Sequence, residues 1–230
     1  MIEKIKYDLL EFAVPEKVAI YQNFFKTGEG QYGEGDVFIG VSVPNTRKVA
    51  QKYKDISLDV VEELLISKIH EERLLGVLIL VHKYKMNNDE RIAEFYLKHN
   101  SKINNWDLVD LSADKIVGHY YFEKDRGPLY ILARSKNLWE RRTSIIATFY
   151  FIKNNQFDDT LAISEILLND SHDLIQKAVG WMLREVGKID LDVEEEFLKK
   201  YYKNMPRTML RYAIEKFPEE KRLSYLKGRV

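Results

Sequence analysis

The chain has 230 residues, with 36 basic and 36 acidic side chains, 45% hydrophobic and 12% aromatic residues, and no cysteine. A chain this long removes roughly 70% of its unfolded surface from water, so its core needs neither disulfides nor a structural metal. The missing cysteine excludes thiol catalysis, iron–sulfur clusters and cysteine-ligated zinc, and the balanced charge gives no global bias toward nucleic acid.

Residues 1–12 mix Glu3, Lys4, Lys6, Asp8 and Glu11 with apolar residues. A secretory signal has an uncharged centre, so this segment reads as a short amphipathic helix of a cytosolic protein. Five of the eleven glycines fall between Gly28 and Gly40. The run Gly28-Glu-Gly-Gln-Tyr-Gly33 has the spacing of a dinucleotide fingerprint, yet no parallel strand precedes it and Gly35-Asp-Val does not open a helix, so a phosphate loop is not expected.

From Pro44 onward the pattern is helical. Segment 58–69 gathers Leu58, Val61, Leu64, Leu65 and Ile69 on one stripe, the mark of an amphipathic helix. The apolar run from Leu74 to Val81 is far shorter than the roughly 20 residues of a membrane-spanning helix, so no membrane contact is expected. Segments 91–98, 128–133, 159–168 and 193–202 repeat the amphipathic pattern, each followed by a polar break and a second helix. The second helices start near Pro44, Glu72, Asn105, Leu138, Asp173 and Pro206, at intervals of 28, 33, 33, 35 and 33 residues. A period of this size predicts stacked helical pairs. The expectation is one all-α domain over residues 1–230, a compact HEAT-like helical repeat solenoid with one helix of each pair lining a concave, basic face.

Residues 173–188 carry Lys177, Trp181, Arg184 and Lys188 at steps of four, three and four, which places them on one side of a helix. The opposite stripe, Leu174, Ala178, Val179, Met182 and Val186, is the expected core face. Taken alone, this helix is read equally well as a solvated lysine face with a half-buried tryptophan. Similar rows occur at Arg47, Gln51 and Lys54, at Trp139, Arg142 and Lys153, and at Arg207 and Arg211, and together they suit a phosphate backbone. In Asn105-Trp-Asp-Leu-Val-Asp110, Trp106 and Asp110 are four residues apart and share a helix side, with Asp107 placed to assist the helix start. An acid on an anion-binding wall weakens binding unless it pairs with a neighbouring cation or meets positive charge on the ligand, where a tryptophan ring also attracts a cation. His70, His82, His99, His119 and His172 show no paired metal spacing, the acidic run from Glu194 to Glu196 reads as a solvated helix start, and no strained nucleophile turn is visible.

Five ordered stretches, GEGQYGEGDVFIGVSVPNTRKVAQKY from Gly28, EERLLGVLIL from Glu71, INNWDLVD from Ile103, SKNLWERR from Ser135 and IQKAVGWMLREVGK from Ile175, together resemble the AlkD-like DNA alkylation repair proteins, HEAT-like-repeat DNA glycosylases. The resemblance covers nearly the whole chain. It implies excision of N3- and N7-alkylated purines, including bulkier cationic adducts, from double-stranded DNA without flipping the base, and no segment of the sequence announces a fitted pocket. It assigns Asp110 as the catalytic acid, Trp106 and Trp181 as sugar-facing rings, and Arg142 as the holder of a flanking phosphate. Lys177, Arg184, Lys188, Arg47, Arg207 and Arg211 become DNA contacts. No metal or other cofactor is implied, a monomer is expected, and the location is cytoplasmic, with the nucleoid. The alternatives are a non-catalytic DNA-binding module of the same family, and a scaffold whose basic wall grips acidic peptides.

Overall fold

The computed structural model describes all 230 residues as an all-helical chain whose only strand-like pairing is an isolated bridge between Val37 and Ile69. The residues cluster into two compact units, Met1–Ser112 and Ala113–Val230. No helix is long and apolar enough to cross a membrane.

In the first unit, α1 (Ile2–Leu10), α2 (Pro15–Phe24) and an irregular stretch lead to α3 (Val43–Lys52), α4 (Leu58–Leu65), α5 (His70–Asn87), α6 (Glu90–Lys98) and α7 (Trp106–Asp110). Proline in the first turns of α2 and α3 costs nothing, because the missing N–H has no partner inside the helix at that position. Helix α4 stops at Leu65 instead of running to Ile69; Ser67-Lys68-Ile69 is the break before α5, and the Ser67 hydroxyl accepts the Ile69 N–H at 3.0 Å. Helix α5 is the centre of this unit. Every residue from His70 to Leu80 is buried, so this part of the helix has no solvated face, and Asn88 ends the helix in the left-handed conformation.

In the second unit a π-turn at Asp114–Gly118 runs into α8 (His119–Tyr121), followed by α9 (Gly127–Ala133), α10 (Leu138–Lys153), α11 (Asp158–Ile166), α12 (Asp173–Ile189), α13 (Leu191–Tyr201), α14 (Arg207–Ala213) and α15 (Glu219–Leu226). The expected second-helix starts agree with α3, α5, α7, α10, α12 and α14 to within two residues. Helix α10 packs on α9, α11 and α12, and α12 packs on α13 and α14. The predicted core stripe of α12, Leu174, Ala178, Val179, Met182 and Val186, is buried throughout.

Candidate functional site

Helix α7 has only five residues, too few to persist alone, so its shape depends on its caps and on α5 beneath it. The Asn105 side chain accepts the Trp106 N–H at 2.8 Å. Asp107, expected to help start the helix, accepts the Leu108 N–H at 2.9 Å but also turns inward, where its carboxylate meets Nε2 of His70 at 2.9 Å. Leu108 and Val109 are fully buried, and Trp106 and Asp110 are left half-buried on one side.

That side opens onto a recess of about 320 Å³. Its walls come from Tyr21 and Phe24 of α2, Phe25 and Phe38 of the irregular stretch, and Trp106. Phe25 stacks on Trp106 with centroids 5.2 Å apart and on Phe38 at 5.0 Å, and Phe38 stacks on the His70 ring at 4.6 Å. Phe24 meets Trp106 edge to face at 5.6 Å. Asp110 opens onto the same space, with Glu71, Asp107 and His70. The sequence shows no obvious segment for a fitted pocket; the structure places an aromatic recess beside Trp106 and Asp110. No periodicity links the aromatic residues between positions 21 and 38 to a helix that begins at position 106.

The irregular stretch is held over the recess by the buried first turn of α5. The Glu71 carboxylate accepts the backbone N–H groups of Ile39, Gly40 and Val41 at 2.9–3.2 Å. Gly40 has φ +82°, and a Cβ there would lie 2.1 Å from the Val14 carbonyl oxygen, so only glycine fits at this crossing. Burial raises the Glu71 carboxyl above its usual range despite those donors. Arg73 binds Asp36 at 2.6 Å and donates to the Ser67 carbonyl at 3.0 Å, and Glu72 pairs with Lys6 at 3.0 Å. Nδ1 of His70 meets Asp36 at 3.2 Å, so the imidazole bridges two carboxylates. Burial opposes its positive charge, but Asp107 first and Asp36 second overcome that and raise its pKa to about 9. Asp36 is held low: burial works against its charge, while His70 and Arg73 favour it. Sequence reasoning missed this network, because a His-Glu-Glu-Arg run at a helix start has the composition of a solvated first turn. A usable signal was the uninterrupted apolar run beginning at Leu74, which leaves the first half of the helix without a water-facing side.

The other predicted site residues lie elsewhere. Arg142 and Trp181 belong to the second unit, where Arg142 is buried and its guanidinium donates to the Leu174 carbonyl at the start of α12. Trp139, expected in the same surface row, is buried in the core. Trp181 is half-buried beside Phe149, with centroids 5.9 Å apart, and its indole N–H donates to Glu185 at 3.0 Å. The cations flanking it all carry carboxylate partners: Lys177 pairs with Asp173 at 2.7 Å, Lys188 with Glu185 at 2.6 Å, and Arg184 with Glu215. Arg47 is exposed on α3, and Arg207 and Arg211 are exposed on α14.

Paired helices, with a buried central helix and an aromatic recess bordered by an acid in the first unit, define an all-helical repeat protein. A family model described as DNA alkylation repair enzyme matches residues 5–217, and the chain belongs to that family. Among solved structures it is similar to a predicted DNA alkylation repair enzyme from Enterococcus faecalis, at 17% identity and TM-score 0.70, over 90% of this chain and 97% of that one. It is also similar to AlkD2 from Streptococcus mutans, at 20% identity and TM-score 0.54, over 89% of this chain and 98% of that one. These likenesses show a common fold. No curated protein matches the sequence at a significant level.

Proposed function

We propose that the protein is a monofunctional DNA glycosylase that hydrolyses the N-glycosidic bond of N3- and N7-alkylated purines in duplex DNA. The observation that carries this reading is that Trp106 and Asp110, one helical turn apart, open onto the same aromatic recess in a member of the DNA alkylation repair family. Alkylation at N3 or N7 leaves the purine cationic, so it departs with the bonding electron pair as a neutral base and needs no general acid. The demand falls on the sugar, whose C1′ turns positive as the bond breaks. Water then adds at C1′ and loses a proton, leaving an abasic site.

Asp110 is the group suited to that charge. Opposite unit charges about 4 Å apart attract by about 4 kcal/mol at an effective dielectric near 20, against about 1 kcal/mol in bulk water. Half-burial beside Trp106 therefore matters as much as the carboxylate itself. Trp181, as a second sugar-facing ring, and Arg142, as a phosphate holder, enter from the family resemblance. Duplex DNA is the partner, with Lys177, Arg184, Lys188, Arg47, Arg207 and Arg211 as backbone contacts.

The test is release of free 7-methylguanine and 3-methyladenine from methylated duplex DNA. Asp110→Asn is expected to slow single-turnover release by a factor on the order of 10², the scale of a removed electrostatic stabiliser. Unchanged release would take Asp110 out of the chemistry, and DNA retention without any release by the unaltered protein would leave a non-catalytic binding module.

A further inference from the structure

We infer that α15 is a pH-gated latch: it stays docked on α13 while the Glu194 carboxyl keeps its proton, and its opening lets that carboxyl ionise into water. The latch lies wholly in the second unit and is independent of the reaction proposed above. The run from Glu194 to Glu196 has the composition of a solvated helix start, yet only Glu196 is exposed. Glu194 is 1% exposed and Glu195 is 9% exposed.

Glu194 turns inward onto α12, where Gly187 leaves the space for it. A Cβ at Gly187 would lie 1.6 Å from Oε2 of Glu194 and 2.6 Å from its Cδ. Oε1 is buried without a hydrogen-bond partner, so a negative charge on this carboxyl would be poorly solvated. Burial raises its pKa to about 8, and Arg184 on α12 opposes that only in part. The Arg184 guanidinium is already engaged by Glu215 and lies 3.7 Å from Glu185.

Tyr225 is the only buried residue of α15. Its ring meets Tyr202 at 5.4 Å and Phe217 at 5.7 Å, both edge to face. Its hydroxyl is buried without a hydrogen-bond partner, and burial first, then the charge of Glu194, raise the phenol above its usual range. One turn earlier on the same side of α15, Lys221 pairs with Glu195. The helix therefore meets adjacent glutamates of α13 at two points, an ion pair at one and a buried carboxyl at the other. An eight-residue helix anchored by one buried side chain opens locally far more readily than the core helices beneath it.

The groups facing Glu194 are thus Tyr225 and Lys221 from α15, Arg184 from α12 with its partner Glu215, and Glu195 on its own helix. Only the Glu194 carboxyl changes charge near pH 8 among them. In the open state it is an ordinary glutamate with a pKa of 4.5, so above that pH each opening releases a proton. Opening then rises by up to about tenfold per pH unit and levels off once the docked carboxyl is itself ionised, near pH 8.

The experiment is amide hydrogen exchange of the intact protein between pH 6 and 9, corrected for intrinsic exchange, with α15 compared against α10 as the core of the same unit. The expected result is at least a tenfold rise in α15 opening from pH 6 to 8, levelling above that, while α10 stays protected. Glu194→Gln keeps the shape without the charge and is expected to flatten the α15 profile. Glu194→Met, apolar and of similar size, is expected to do the same, and thermal melting confirms that each variant is folded. Lys221→Ala is expected to raise α15 opening at every pH and to keep the slope. A flat profile in the unaltered protein, an unchanged slope in the folded Glu194 variants, a slope lost in Lys221→Ala, or α10 opening together with α15 overturns the proposal.

Discussion

His70 is the residue on which the first unit's geometry turns, since one imidazole joins the irregular stretch through Asp36 to α7 through Asp107. Both ring nitrogens meet carboxylates, which requires the doubly protonated form. The pKa rises from about 6.5 in the unfolded chain to about 9 in the folded one, so the folded state holds the proton more tightly. This contribution, on the order of a few kcal/mol, is therefore complete below about pH 6.5 and is lost as pH climbs through about 9. Glu71 and Arg73 flank the ring on α5, and Arg73 already serves Asp36. His70→Gln is expected to cost about 3 kcal/mol at pH 6, the scale of a broken buried ion pair, and to flatten the decline in stability between pH 6.5 and 9. Urea unfolding of both proteins across that range checks it, and parallel pH profiles would contradict the bridge.

Among the elements, α5 and α10 open on the same local device. Ser67 and Ser135 each precede an arginine by six residues, Arg73 and Arg141, whose guanidiniums donate back to the serine carbonyls at 3.0 and 2.9 Å. Each arginine also binds an aspartate, Asp36 at 2.6 Å and Asp170 at 2.7 Å. The shared Ser-Lys start at positions 67 and 135 makes this repeat legible in the sequence, whereas the aspartates lie too far along the chain to be assigned from it. Helices α12 and α14 meet at Gly180, where a Cβ would lie 2.4 Å from the Met209 carbonyl oxygen and 2.5 Å from the Tyr212 Cβ. Backbone cannot yield as a flexible side chain does, so Gly180→Ala must push α14 away. It is expected to destabilise the protein by about 1–3 kcal/mol, measured as a lowered urea midpoint, although alanine is the better helix former. An unchanged or raised midpoint would mean that this crossing has slack.

Over the whole molecule, 36 positive and 36 negative charges leave no net field to draw DNA in, so affinity depends on which cations are available locally. The row beside Trp181 is neutralised by its own neighbours, Asp173, Glu185 and Glu215. A phosphate contact there has to displace a carboxylate, which makes the acids as important to affinity as the lysines. Glu215→Gln removes one of the two carboxylate partners of Arg184, leaving Glu185 at 3.7 Å, and removes one negative charge. Duplex binding is expected to tighten by about two- to tenfold at low salt, with a steeper dependence on salt concentration, in fluorescence anisotropy titrations from 50 to 200 mM salt. No change in either quantity would place Arg184 away from the DNA.

The sequence by itself determined the all-helical class, the starts of the second helices, the core stripe of α12, and the shared side of Trp106 and Asp110. All of these follow from helical geometry acting over three to seven residues, which a single stretch of chain contains in full. Only the tertiary structure decided that Tyr21, Phe24, Phe25 and Phe38 close with Trp106 into a recess, that Arg142 and Trp139 are buried, and that the lysine row is already paired. Those outcomes depend on neighbours far apart in sequence, 37 residues between His70 and Asp107 and 69 between Asp36 and Asn105. A residue's periodicity states which way it faces, and only packing states what it meets there.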